Sequence, residues 1–163
     1  MRAGRKLEVT LTPVWGCAGR VRLARSEQPN AFADGNYAIV TTRLLSFVRS
    51  DDELALVLAH EMAHNVLGHP ARLRALNVPR GPSRSLGKNG RRVWQTEEEA
   101  DRLAVKLVAA AGYDLGAVMP FWRRFYANYE SKLQLFRTHP SLAARERIFR
   151  QAVADLAPAA QSR

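Results

Sequence analysis

The stretch His60-Glu61-Met62-Ala63-His64 carries the densest chemistry in the sequence. It fits the pattern H-E-x-x-H, in which histidines four apart fall on one face of a helix, one turn from each other. Both imidazoles can then reach a single metal ion. Glu61 adjoins the first histidine and can act as general base on a water activated at that metal. The competing reading of the pentapeptide alone is a core helix with two hydrogen-bonded histidines.

A third ligand separates the two readings. The metzincin pattern requires Gly three residues and His six residues after the second histidine, and those positions hold Leu67 and Pro70. His69 is five residues beyond His64, more than one turn, which aims it off the ligand face. The thermolysin type instead takes a Glu from a later helix. Downstream stands Glu97-Glu98-Glu99-Ala100-Asp101. Glu97 and Asp101 are four apart, and like charges at that spacing normally destabilise a helix. A cation beside one and a metal-bound histidine beside the other would reverse the sign. Glu97 therefore reads as third ligand, and Asp101 as acceptor for the free N–H of a ligand histidine. Acidic residues also suit a first helical turn, and Thr96 with Glu99 makes a capping box. That alternative covers Glu98 and Glu99 and leaves Asp101 unexplained.

Several ordered segments resemble the HtpX-like metallopeptidases, which include the CAAX prenyl endopeptidases and the Oma-type mitochondrial proteases. The segments are Pro29-Asn30-Ala31-Phe32-Ala33-Asp34-Gly35, Val40-Thr41-Thr42, and Glu53 through Glu61. Glu97-x-Glu99-Ala100-Asp101-Arg102, Ala111-Gly112-Tyr113-Asp114 and Thr138-His139-Pro140-Ser141 continue them. The resemblance covers about residues 19 to 150. It implies a gluzincin zinc endopeptidase holding one Zn2+ through His60, His64 and Glu97, with Glu61 as base. It implies that His139 lies beside the metal, stabilising the oxyanion or capping the zinc, and that Arg145 or Arg147 supplies a supporting charge. It also implies a peptide or protein substrate that adds as a strand near Asn30 to Ala33. Arg43 stands where the family usually has Gly, which implies a different turn before Leu44-Leu45. The transmembrane helices of many members have no counterpart here.

These residues need elements to position them. Ser50 and Glu53 form a capping box, and Leu54, Val57, Leu58 and Met62 follow at helical spacing, which predicts a helix over 50–69 ended by Pro70. Residues 7–42 read mainly as strands, from the alternation of Leu7, Val9 and Leu11, of Val21 and Leu23, and the β-branched run Tyr37 to Thr42. Asp34-Gly35 is a turn signal that makes Ala31 to Ala33 and Tyr37 to Thr42 neighbours. A helical part is expected over 96–156: one helix from Thr96 to Ala111 stopped by Gly112, one after Asp114 touched by Pro120, and one from Ser141 to Leu156. Phe121, Trp122, Phe125, Tyr126 and Tyr129 form an aromatic stripe that reads as core, with a substrate pocket as the alternative. The expected fold is α+β: a small antiparallel sheet packed on a helical bundle, with the metal in the cleft between them.

The remaining features bound the partners. At 163 residues and 47% hydrophobic content the chain suits a single metallopeptidase domain over 1–163. The net charge is +10, and Arg72, Arg74, Arg80, Arg84, Lys88, Arg91 and Arg92 carry much of it with no acid among them. Gly and Pro in this stretch predict a basic loop over 77–95. Such a loop suits acidic partners or an anionic membrane surface, or is simply solvated; no nucleic-acid fold motif accompanies it. Cys17 is the single cysteine, which excludes an internal disulfide. No apolar run reaches the ~20 residues of a membrane span, and no apolar stretch follows the basic start, so neither a span nor a signal peptide is expected. The compartment stays open; only the resemblance points to a cell-envelope or membrane-associated location. The rival function is a zinc-stabilised binding or quality-control module with little turnover. A further alternative is a basic nucleic-acid binder.

Overall fold

A computed structural model describes residues 8–11, 19–79, 87–129 and 140–156. Four short strands come first: β1 (Glu8–Leu11), β2 (Gly19–Ala24), β3 (Ala31–Ala33) and β4 (Ala38–Thr41). Their order in the sheet is β1-β2-β4-β3. β1 with β2 and β3 with β4 are antiparallel, but β2 with β4 is parallel. The sheet is thus mixed rather than antiparallel. The chain leaves β2, crosses to the far edge to lay down β3, and turns back between the two. Alternation along a strand marks its faces, not its neighbours, so the sequence could not show this crossing.

The Asp34-Gly35 turn joins β3 to β4 as its residues predict. Asp34 Oδ1 accepts from the backbone N–H of Asn36 and of Tyr37, each at 2.8 Å, and Gly35 takes φ +108°. The Gly35 N–H donates to Asn65 Oδ1 at 2.8 Å, which ties the turn to the long helix behind it. At the other end of β4, Thr41 Oγ1 accepts from Asn30 N–H at 2.9 Å and caps α1 (Thr42–Phe47). Arg43 stands in the first turn of α1, where the capped helix replaces any glycine turn.

Helix α2 (Asp51–Val66) starts as expected, with Ser50 Oγ accepting from Glu53 N–H at 3.3 Å. It ends earlier than expected. Gly68 at φ +66° breaks it, and Pro70 sits in the first turn of α3 (His69–Ala75). The predicted span 50–69 therefore holds α2 and only the first residue of α3: the glycine supplies the left-handed residue that stops one helix, and the proline suits the first turn of the next.

Helix α4 (Gly87–Ala110) departs most from the expected loop over 77–95. Its first residues come from the basic stretch, and Thr96 is no cap: it is buried mid-helix with Oγ1 donating to Val93 O at 2.7 Å. Val93, Thr96, Glu97, Ala100, Ala104 and Val108 are all buried, so one stripe at helical spacing begins at Val93, just past the glycine-containing start. Packing of that stripe outweighs the cost of Gly90, about 1 kcal/mol relative to Ala.

Gly112 (φ +79°) stops α4 as read. A 3-10 turn (Leu115–Ala117) capped by Asp114 leads into α5 (Val118–Tyr129), with Pro120 in its first turn, and Ser141 caps α6 (Leu142–Ala154). α2 lies at the centre, packed on α4, α5 and β4. Val40, Leu44, Leu56, Val57, Val108, Phe121 and Tyr126 join the sheet, α2, α4 and α5 in one core.

Candidate metal centre

Helices α2 and α4 pack side by side, and the acidic start of the Glu97–Asp101 stretch faces the histidine face of α2. His60, His64 and Glu97 each offer one ligand atom within 4.8 Å of the others. The two Nε2 atoms are 3.1 Å apart. Glu97 Oε2 lies 3.5 Å from His60 Nε2, and Glu97 Oε1 lies 3.6 Å from His64 Nε2. The three residues are 3%, 8% and 2% exposed. Gathering two imidazoles and a carboxylate in the interior is costly unless they share a proton or a cation. Two nitrogens and an oxygen are also the donor set of a three-ligand catalytic zinc site, so these residues fit the ion.

The far side of each ring is held as well. His60 Nδ1 lies 2.8 Å from Asp101 Oδ1. Asp101 in turn accepts from Arg145 at 2.6 Å, and Arg145 approaches Glu97 at 3.8 Å. Arg145 is 3% exposed, with its guanidinium 4.0 Å from the ring centre of Trp122. Arg147, its rival by sequence, is exposed. Burial works against charge at His60, but Asp101 and then Glu97 outweigh it and push the pKa up to about 10 in the metal-free site. Burial likewise opposes the Arg145 charge, and the neighbouring Asp101 more than restores it.

His69 stays outside the ligand cluster, as its spacing predicts, but it stands directly behind a ligand candidate, which the sequence reading missed. It is 1% exposed, and its Nδ1 lies 2.9 Å from His64 Nδ1. α3 begins at His69 after the break at Gly68, so helical turns counted from His64 do not carry to it and could not show this contact. The glycine and proline flanking His69 were the available signal of that break. Burial pushes the His69 pKa down, only partly offset by its hydrogen bond to Glu99. Glu99, read as a cap, instead meets His69 Nε2 at 3.0 Å and Arg72 at 2.8 Å.

Glu61 is 6% exposed and lines a cavity together with His60. The cavity measures about 530 Å³ including its open mouth. Phe121, Trp122, Phe125 and Tyr126 form one wall, and Asn30 and Ala31 at the start of edge strand β3 form part of another. The aromatic stripe is thus core and pocket wall together, because Phe121, Phe125 and Tyr126 belong to the buried core cluster and also line the cavity. His139 lies outside the described residues, as do Cys17, Arg80 and Arg84.

The sequence profile of peptidase family M48 matches residues 8–78 and 90–152. A putative beta-barrel assembly-enhancing protease of Vibrio cholerae is 27% identical over 150 residues, an alignment covering 72% of this chain and 31% of that protein. The mitochondrial metalloendopeptidase OMA1 of Schizosaccharomyces pombe is 30% identical over 149 residues, covering 78% of this chain and 44% of that one. The chain thus spans less than half the length of either relative. Matched along both the strand region and the helices that carry its histidines and acids, the chain belongs to peptidase family M48.

Proposed function

We propose that this chain is a zinc-dependent metalloendopeptidase domain of gluzincin type, with His60, His64 and Glu97 as ligands and Glu61 as general base. One observation carries the reading: the buried His60–His64–Glu97 cluster adjoins a cavity that Glu61 lines and an edge strand borders. Zinc, when bound, lowers the pKa of water and polarises a carbonyl. Glu61 takes the proton of the attacking water and delivers it to the departing amine. Asp101 holds the His60 ring through Nδ1, and Arg145 holds Asp101 while its charge faces Glu97.

The substrate is a peptide segment laid along β3, which pairs only with β4 among the described residues and has Asn30 and Ala31 at the cavity. His139 belongs to the same site in this reading. Its sequence neighbour Pro140 is buried and accepts from the hydroxyl of Tyr126, a cavity residue. The basic surface of Arg74, Lys88, Arg91 and Arg92 would meet acidic partners or an anionic membrane surface.

Digestion of unfolded casein by the zinc-loaded chain tests the reading. Wild type should cleave it, and Glu61→Gln should keep both fold and zinc while losing cleavage. A wild-type chain that binds zinc without turnover would favour a zinc-stabilised binding module instead.

A further inference from the structure

We propose that His69 is a positioning residue for the second metal ligand: it fixes the His64 ring in the one tautomer that turns an Nε2 lone pair toward Glu97 and His60, and Glu99 with Arg72 fixes His69. The inference rests on His64 acting as a ligand.

Hydrogen-bond polarity carries the argument. A neutral imidazole has one donor nitrogen and one acceptor nitrogen. If His64 Nε2 offers its lone pair at the cluster, its proton sits on Nδ1, which must donate. The atom facing it at 2.9 Å is His69 Nδ1, which must then accept. The His69 proton is therefore on Nε2, and it faces Glu99 Oε2 at 3.0 Å. A carboxylate oxygen accepts only, and this one is also held by Arg72 at 2.8 Å. Every link has a single polarity, and reversing it would point the His64 proton at His60 Nε2, 3.1 Å away.

The arrangement parallels the one behind His60, where the Asp101 carboxylate stands 2.8 Å from Nδ1 and Arg145 anchors it. Both chains end on an arginine. The His64 branch inserts a neutral ring between ligand and carboxylate, so it orients the ligand without placing a negative charge against it. A merely structural role explains less. His69 opens α3, yet no side chain caps that helix. A ring wanted only to fill space would not need partners at both nitrogens.

The test measures zinc affinity of the full chain by competition with a chromogenic chelator, beside the melting temperature of the metal-free form. His69→Leu fills the space without an acceptor and should weaken zinc binding by about 10–100-fold. His69→Asn can place Oδ1 where Nδ1 accepts, and should recover most of that loss. A space-filling role predicts the opposite pattern: both variants lower the metal-free melting temperature and neither changes affinity. Wild-type affinity in His69→Leu, or an equal loss in His69→Asn, overturns the proposal. Should His69→Leu fail to fold, Glu99→Ala decides, since Glu99 is partly exposed: weakened zinc binding supports the chain, and unchanged binding overturns it. His64→Ala separates the premise, because undiminished zinc there removes His64 as a ligand altogether.

Discussion

His60 and Glu61 are adjacent in sequence but are held differently. His60 reaches across to α4 and meets Asp101 and Glu97, while Glu61 lines the cavity. The i,i+4 logic that pairs His60 with His64 and Glu97 with Asp101 stays within one helix at a time. It cannot reach His69, whose place depends on the chain reversing at Gly68. The raised pKa of His60 has a consequence for metal uptake. With a folded value of about 10 against 6.5 unperturbed, the metal-free site holds a proton at neutral pH. Zinc must displace it, so binding at pH 7.5 should release about one proton. Calorimetric titration in buffers of different ionisation enthalpy reads that number, and zero release would mean that the metal-free ring is neutral. The protonated ring stabilises the metal-free fold fully below 6.5, and that contribution is lost as pH rises through about 10. The metal-free melting temperature should fall across this window.

At the scale of elements, the caps and turns were readable and the start of the long helix was not. Ser50, Ser141, Asp114 and the Asp34-Gly35 turn act locally through their own side chains or backbone, so their sequence signals hold. The start of α4 lies ahead of its buried stripe, in a stretch whose glycines and prolines around residue 85 read as loop. The break between α2 and α3 is the element on which the His69 contact depends. A Cβ added at Gly68 meets nothing within 4 Å, so Gly68→Ala tests backbone conformation alone. The left-handed φ of +66° should cost about 1–2 kcal/mol for Ala. Chemical denaturation of the metal-free chain measures it. A loss near zero would mean that another connection can replace the left-handed turn.

Across the whole molecule, the sheet, α2 and α5 meet at the cavity, and the metal cluster lies beside it rather than within the aromatic core. The chain belongs to peptidase family M48 and spans less than half the length of either relative named above. Among the described residues no helix is long and apolar enough to cross a membrane. Core and pocket could not be told apart for the aromatic stripe from its residues, because helical spacing reports a face and not what the face meets. The structure puts Phe121, Trp122, Phe125 and Tyr126 on the cavity wall, with Leu44 and Val57 beside them. A peptide lying along β3 would direct a side chain into this space next to the bond under attack. Placing a carboxylate against these rings would strip it of water, and Arg145, the nearest cation of the wall, is already committed to Asp101. A large apolar side chain instead gains burial. Peptides differing at that one position should therefore show kcat/KM at least about tenfold higher for Leu or Phe than for Asp. Equal rates across the series would remove the cavity as a specificity site while leaving the metal cluster untouched.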